Sequence, residues 1–165
     1  MSPDPSKPAL ILGYGNVDRQ DDGVAWHVLA ALRRRLGKPE AEPFDQEFEP
    51  QGENPDFLFT LQLTPELAET LAGYQRICFV DAHTGNVPDE VHFRQLQAKY
   101  QRSPFTHHLT PQTLLALCAQ LYSHAPHAIL VSVRGYRFGF EPSLSPESQA
   151  LIEPAVQKIL AWLDV

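Results

Sequence analysis

The hydrophobic pattern of the chain changes repeatedly between two spacings, and each change marks a predicted strand or helix. Short, predominantly apolar runs are typical of strands buried on both faces of a sheet, and they occur at positions 9–12, 57–63, 76–80 and 128–133. Apolar residues every three or four positions are typical of helices with one buried face, and they occur at 24–36, 65–72, 111–122 and 146–163. Residues 90–96 alternate apolar and polar side chains, which predicts an edge strand.

Strands and helices therefore alternate along the chain, without an internal repeat. Because parallel strands need a crossover connection, usually a helix, this order predicts the α/β class. We expect a three-layer sandwich, with a mostly parallel sheet of about five strands and helices on both faces. At 165 residues the chain is predicted to form a single domain, residues 1–165.

Two segments interrupt this pattern. Residues 1–7 are polar and are predicted to form a loose arm. Residues 37–56 carry seven acidic residues, one lysine and four prolines, which predicts an acidic, proline-rich loop. Loops of this length are commonly either mobile or functional, so this one is either a solvated connection or a surface that meets a partner.

Composition excludes several classes of protein. The net charge of −7 leaves no basic face for binding a phosphate backbone, so no nucleic-acid partner is expected. Cys78 and Cys118 lie in apolar stretches, which predicts buried, reduced thiols and a reducing compartment. No apolar run reaches the roughly 18 residues of a membrane span, and the first residues lack the layout of a signal peptide. We therefore predict a cytoplasmic protein without a membrane partner.

Candidate chemical groups follow the ends of predicted elements at three places. Asp21 and Asp22 separate the first strand from its helix, Asp81 directly follows the third strand, and His107 and His108 precede the third helix. The carboxyl ends of parallel strands share one edge of the sheet, where α/β proteins bind ligands, so two carboxylates and one imidazole are expected to converge there. Such a set suits a divalent ion such as zinc, nickel or cobalt, with positions left for water or a substrate ligand.

Each of these residues also has a structural alternative. Asp22, next to Gly23, could cap the helix and oppose its dipole, which stabilises a helix by about 0.5–2 kcal/mol. Asp21 could be a turn residue, and histidines in loops are commonly solvated. Asp81 is harder to explain in this way, because a carboxylate at a crowded strand end costs free energy unless it is paired or functional.

Gly13 and Gly15 invite comparison with the glycine-rich turn of dinucleotide-binding proteins. That turn needs a third glycine three positions later, where this chain has Asp18. Asp21 and Asp22 would also repel a pyrophosphate. A nucleotide-binding regulatory domain is therefore disfavoured.

Three motifs and the end of the chain resemble, in order, the maturation endopeptidases of nickel–iron hydrogenases. The stretch GYGNVDRQDDG is similar to their first signature, G-x-G-N followed after four variable residues by Asp and then Asp or Glu. FVDAHTG resembles the second signature, an apolar strand ending in Asp-Ala, and THHL resembles their Ser/Thr/Pro-His-x-Leu ahead of a helix. The segment from Phe140 through the final helix is similar to the closing part of the family.

The resemblance implies a mixed sheet between helices and an endopeptidase that removes a short C-terminal peptide from the hydrogenase large-subunit precursor after nickel insertion. It also implies that Asp22, Asp81 and His107 contact nickel supplied by the substrate. Asp22 and Asp81 would be the catalytic carboxylates of an aspartyl-protease-like reaction, and a monomer is expected. His107 is preferred to His108 because THHL matches the His-x-Leu spacing from the first histidine.

One segment departs from the family pattern. Many members have a Gly-Gly-Thr/Ser stretch after the second strand, where this chain has LQLTPEL at positions 61–67. The change resembles a branch that serves NAD-coupled bidirectional hydrogenases. It also leaves an alternative open, namely a non-proteolytic nickel-binding or chaperone-like maturation factor of the same fold.

Overall fold

The computed structural model describes residues 7–39, 48–101 and 108–164. Five strands and five α-helices lie in these ranges, and a single turn of 3-10 helix, Gln20–Gly23, leads into the first α-helix. The strands are β1 (Ala9–Tyr14), β2 (Asp56–Thr60), β3 (Arg76–His83), β4 (Val91–Leu96) and β5 (His127–Arg134). The helices are α1 (Val24–Arg35), α2 (Leu67–Ala72), α3 (Pro111–Tyr122), α4 (Pro146–Gln149) and α5 (Ile152–Leu163).

The strands form one five-stranded mixed sheet in the order β2-β1-β3-β5-β4. Strands β2, β1, β3 and β5 are parallel, and β4 pairs antiparallel with β5 at the edge. This confirms the predicted mostly parallel sheet and the edge strand at 90–96. The parallel register also aligns the ends of β1, β3 and β5, so that residues following these strands lie along one edge of the sheet.

Helices cover both faces of the sheet, as predicted. Helices α1 and α5 pack on one face, with Leu29 and Ile159 in its buried core. Helices α2 and α3 pack on the other face, where Leu114 is fully buried. Each fully buried aliphatic side chain of this kind stabilises the fold by roughly 1.5–3 kcal/mol. Cys78 and Cys118 are buried free thiols, one in each core, as the sequence predicted.

The predicted helix at 146–163 is wrong as a single element, because it is two helices. The chain leaves α4 at Ala150, and the Leu151 N–H donates to the Ser148 carbonyl, a tighter bond than an α-helix makes. Pro154 has no N–H with which to bond the Ala150 carbonyl, so a continuous helix cannot run through this point. The cost of the proline is small where it stands, in the first turn of α5.

Two further elements are shorter than predicted. Strand β2 ends at Thr60 rather than at position 63, and α2 begins at Leu67 rather than at position 65. The intervening residues leave the sheet and turn toward its carboxyl edge. The strand was predicted to continue to position 63 because residues 61 and 63 are leucines. In the structure Leu61 is exposed and only Leu63 is buried.

The part of the acidic segment that the structure describes is held in place. Asp56 accepts hydrogen bonds from the Gln51 and Gly52 N–H groups at 2.7 and 2.9 Å and from the Tyr74 hydroxyl at 2.8 Å. Residues 40–47 of this loop and most of the predicted arm, residues 1–6, lie outside the described ranges. That the whole chain forms one domain stays a prediction. In the described ranges, no helix has the length and apolar character needed to cross a membrane.

Candidate active site

A cavity of about 380 Å³ opens at the carboxyl ends of β1 and β3. Its walls come from the end of β1 and the loop after it (residues 14, 15, 16, 19 and 22), from residues 61–63 after β2, and from residues 108–109 before α3. Asp81 and Ala82, at the end of β3, complete the lining. Asp22 and Asp81, which are far apart in sequence, therefore face the same space.

The loop after β1 folds back tightly because of its glycines. Gly15 has a φ of +145°, and a Cβ on it would lie 2.1 Å from the Asp22 carbonyl oxygen. Gly23 is equally constrained, since a Cβ there would lie 2.5 Å from the Cα of Val17. The Asn16 N–H donates to Oδ2 of Asp22 at 2.8 Å. The G-x-G-N and D-D-G motifs thus allow the close turn that brings the Asp22 carboxylate against the start of its own loop.

Asp81 is held by two hydroxyl groups. Tyr14, at the end of β1, donates to Oδ2 at 2.8 Å, and Ser132, its register partner on β5, donates to Oδ1 at 2.6 Å. Asp81 faces the cavity, yet burial of its carboxyl group dominates and raises the pKa above its ordinary value, against the lowering effect of the two hydroxyl bonds. Burial and the nearby Asp81 charge also raise the pKa of Tyr14, so its hydroxyl stays protonated and remains a donor.

Asp21 has a different role from its neighbour. It is fully buried, and its carboxylate accepts bonds from the N–H groups of Tyr136, Arg137 and Ser145 and from the Ser145 hydroxyl, at 2.6–2.9 Å. Burial raises the pKa of Asp21, but these four bonds outweigh it and bring the pKa below its ordinary value. Asp21 therefore ties the loop after β5 to the start of α1, which is close to the turn role that the sequence left open.

The histidine prediction falls partly outside the described chain. His107 is not among the described residues, whereas His108 and Leu109 line the cavity. Over the ranges that are described, no group of three or more His, Cys, Asp or Glu side chains is arranged to hold a metal ion. That Asp22, Asp81 and His107 bind nickel together stays a prediction.

Sequence reasoning missed three residues of the site. Tyr14 lies between the two glycines of the first motif, and Ser132 is the one polar residue within the apolar run 128–133. A hydroxyl in a buried strand needs a hydrogen-bond partner, and that need could have pointed to Asp81. Arg19, which also lines the cavity, carries no such signal because charged residues are common in loops.

A larger cavity, of about 670 Å³, lies at the opposite edge of the sheet, at the amino ends of β3 and β5. Arg76 and Trp162 form part of its lining, with the guanidinium carbon 4.2 Å from the ring centroid. Neither Asp22 nor Asp81 reaches this cavity. The candidate chemistry therefore belongs to the smaller space at the carboxyl edge.

Solved structures with the same fold carry consistent names. The hydrogenase maturating endopeptidase HybD from E. coli is 21% identical, with a TM-score of 0.67 over 95% of this chain and 92% of that one. The [NiFe] hydrogenase maturation protease HycI from Thermococcus kodakarensis is 17% identical, with a TM-score of 0.65 over 97% and 95%. A hydrogenase 2 maturation peptidase from a Thaumarchaeota archaeon is 19% identical, with a TM-score of 0.61 over 95% and 98%.

No protein-family model and no curated protein sequence matches the chain. Its likeness to known proteins is therefore a likeness of fold. The chain has the α/β fold of the hydrogenase maturation endopeptidases over nearly its full length, as the resemblance implied.

Proposed function

We propose that this chain is an endopeptidase that removes the C-terminal peptide of a nickel–iron hydrogenase large-subunit precursor after nickel insertion. One observation carries the proposal. In a chain with the fold of the maturation endopeptidases, Asp22 and Asp81 line a single cavity at the ligand-binding edge of the sheet. The family resemblance carried by the ordered motifs implies nickel contact for the same two residues.

The two carboxylates suit a cation that another protein brings. Only Oδ2 of Asp22 accepts a hydrogen bond from a described residue, which leaves Oδ1 available. Each oxygen of Asp81 accepts a single hydroxyl bond and retains capacity for a further contact. A cation would also favour the ionised form of Asp81, which burial disfavours.

Two carboxylates and one imidazole, from His107 in this proposal, bind a free ion weakly. They would instead complete the coordination of a nickel ion that cysteines of the precursor already hold. Docking then depends on the metal, so a precursor without nickel is not engaged. The nickel belongs to the substrate, and the chain contributes ligands that recognise it.

Peptide hydrolysis adds water to the scissile carbonyl carbon and breaks its bond to nitrogen. A proton must leave the attacking water and reach the departing amine. Asp22 and Asp81 are the groups proposed for this transfer, and the raised pKa of Asp81 brings that carboxyl closer to neutral pH, where a general acid–base group works best. We further propose that the protein acts in the cytoplasm, as a monomer, on a large subunit of the NAD-coupled branch.

The decisive experiment incubates the purified protein with the large-subunit precursor, with and without nickel, and measures the precursor mass. We expect loss of the C-terminal peptide only from the nickel-loaded precursor. The matched control is the same reaction with the Asp22→Asn variant, which keeps the size of the side chain. Equal cleavage with and without nickel would refute metal recognition, and an unchanged mass in both would refute the protease.

The segment after β2 favours one second candidate. Leu61, Gln62 and Leu63 form a wall of the cavity where many family members have a Gly-Gly-Thr/Ser stretch. A non-proteolytic nickel-binding or chaperone-like factor would keep the cavity and lose the cutting. Nickel-dependent complex formation without any change of mass would identify this function.

A further inference from the structure

An exposed aromatic side chain contacts one of the residues that line the cavity. Phe140 is 87% exposed, the largest value among the exposed large hydrophobic residues that the structure describes. The guanidinium carbon of Arg19 lies 5.3 Å from the centroid of its ring, within the range of a cation–π contact. Arg19 itself lines the cavity that holds Asp22 and Asp81. Arg19 therefore belongs both to the cavity lining and to the Arg19–Phe140 pair.

The loop that carries Phe140 is anchored on both sides of the ring. The Gly139 N–H donates to Oε1 of Gln20 at 2.9 Å, and the Gln20 N–H donates to the Glu141 carbonyl at 2.7 Å. Nη2 of Arg19 donates to the Phe138 carbonyl at 3.1 Å. Gln20 has a φ of +47°, a conformation that a non-glycine residue adopts only when its surroundings fix it. The exposure of Phe140 is thus built into the fold and does not come from a frayed loop.

Its location distinguishes Phe140 from other exposed apolar residues. Single exposed apolar side chains are common on soluble proteins and need no explanation by themselves. Leu121, 63% exposed near the end of α3, is one of these and does not line the cavity. Leu61, by contrast, is 60% exposed and forms part of a cavity wall. Exposed apolar surface therefore lies both in the wall of the cavity, at Leu61, and on Phe140, which contacts the cavity residue Arg19.

We propose that the Arg19–Phe140 pair is the docking element for the extended precursor segment that carries the scissile bond. This inference rests on the proposed function. An apolar side chain of that segment packs on the exposed face of Phe140, while Arg19 donates to a backbone carbonyl. A guanidinium has five N–H donors, and only one of them bonds a described residue here. An aromatic ring next to a cationic donor matches a peptide, which presents apolar side chains and carbonyl oxygens in alternation.

Hydrogen bonds also connect the segment that carries Phe140 to the loop that carries Asp22. Arg19 and Asp22 belong to the same short loop, and Asp21 and Gln20 between them anchor the Phe140 segment. The ring and the guanidinium contact the segment away from the scissile carbonyl, so they bind it equally in the ground state and in the transition state. Such uniform binding lowers KM and leaves kcat nearly unchanged.

The test compares Phe140→Ala with Leu121→Ala, which removes another exposed apolar side chain, away from the cavity. Steady-state cleavage of the nickel-loaded precursor is measured for each. For Phe140→Ala we expect KM to rise about tenfold with kcat nearly unchanged, equivalent to about 1.4 kcal/mol of binding. Phe140→Tyr should restore KM, since it keeps the ring, and Arg19→Gln should raise KM in the same way. Leu121→Ala should match the wild type.

The outcomes separate this inference from the proposed function. If the wild type cleaves the precursor and Phe140→Ala has an unchanged KM, the docking element is refuted and the protease stands. The same holds if Phe140→Ala and Leu121→Ala raise KM equally. If the wild type neither binds nor cleaves the precursor, both proposals fail together. Thermal unfolding of every variant checks that the loop change has not unfolded the protein.

Discussion

Asp21 and Asp22 are adjacent in the chain, yet their carboxylates have opposite surroundings. Asp21 is fully buried and accepts four hydrogen bonds from the loop after β5. Asp22 is half-buried, accepts one bond from a described residue, and faces a cavity. The two neighbouring acids thus have different roles: Asp21 holds the loop after β5 in place, and Asp22 faces the cavity with one oxygen available to a ligand.

The contrast extends to the kind of donor that each carboxylate meets. Three of the four bonds to Asp21 come from backbone N–H groups, and together they hold its pKa below the ordinary value. Asp81 meets only two hydroxyl groups, and burial keeps its pKa above the ordinary value. The Asp21 carboxylate, with four donors, has a structural role, whereas the buried Asp81 carboxylate, with one hydroxyl donor on each oxygen, retains its capacity for a cation or a proton. The following predictions test that contrast.

The largest expected effect is on cleavage by the cavity carboxylates. Asp22→Asn and Asp81→Asn should each lower the rate of precursor cleavage by roughly a thousandfold or more, because the amide cannot carry the charge or transfer the proton. Initial rates from mass spectrometry measure the loss, and circular dichroism checks that the fold persists. Asp56→Asn, a change at a buried carboxylate away from the cavity, is the control and should cleave normally. Normal cleavage by either cavity variant would contradict the assignment.

The next effect is on stability. Asp21→Ala leaves the N–H groups of Tyr136, Arg137 and Ser145 without their acceptor, which should lower the free energy of unfolding by about 3 kcal/mol or more. Urea denaturation measures the change. Because its folded pKa is lowered, the stabilising contribution of Asp21 is complete above the ordinary Asp pKa and is lost as pH falls through the folded pKa. A variant as stable as the wild type would show that Asp21 does not hold the loop.

Asp56 offers a matched comparison for that variant. It also is buried and also accepts backbone N–H bonds, from Gln51, Gly52 and Phe57. Asp56→Ala should therefore lose stability as Asp21→Ala does. Of the two variants, Asp21→Ala alone should also raise KM for the precursor, because Asp21, unlike Asp56, bonds residues on both sides of Phe140.

A smaller effect of opposite sign is expected for stability at Asp81. A carboxyl whose folded pKa is raised favours the fold while it is protonated and disfavours it once pH exceeds the ordinary Asp value. Asp81→Asn should therefore raise the melting temperature at neutral pH. The difference in melting temperature between the variant and the wild type should shrink as pH falls toward the ordinary Asp pKa. Melting curves at several pH values measure this. A lower melting temperature for the variant at neutral pH would contradict the raised pKa.

The smallest effect is a shift of the pH–rate profile. Tyr14→Phe removes a hydroxyl that lowers the pKa of Asp81, so that pKa should rise further and the acid limb of kcat/KM should move to higher pH. Tyr74→Phe is the control, because the Tyr74 hydroxyl also donates to a carboxylate, that of Asp56, at 2.8 Å. An identical shift in both variants would exclude a specific role for Tyr14.

The fold was predictable because apolar spacing reports burial directly. The run at 128–133 and the alternation at 90–96 led to β5 and to the antiparallel edge strand β4. Helix 146–163 was predicted as continuous because its apolar face continues across the break between α4 and α5. The break itself involves the backbone, since Pro154 lacks the N–H that a continuous helix would need. Spacing alone does not register a lost backbone donor.

The site was predictable only in part. The turn chemistry of Gly15 and Gly23 placed the two acids between β1 and α1, and strand order placed Asp81 at the same edge. Which of the adjacent acids faces the cavity depends on contacts made more than one hundred residues away, at Tyr136 and Ser145. Periodicity carries no information about such long-range contacts. The family resemblance, through its motif, selected Asp22.

The loop from Arg19 to Asp22 has one further consequence. These four consecutive residues engage a ring, two backbone groups of the neighbouring loop, a buried donor cluster and the cavity, in that order. Inserting a single residue among them would keep all four side chains but misalign every contact beyond the insertion. Replacing one side chain removes one set of contacts, whereas a change of length removes several sets at once. The length of this loop is therefore more tightly constrained than any one of its side chains.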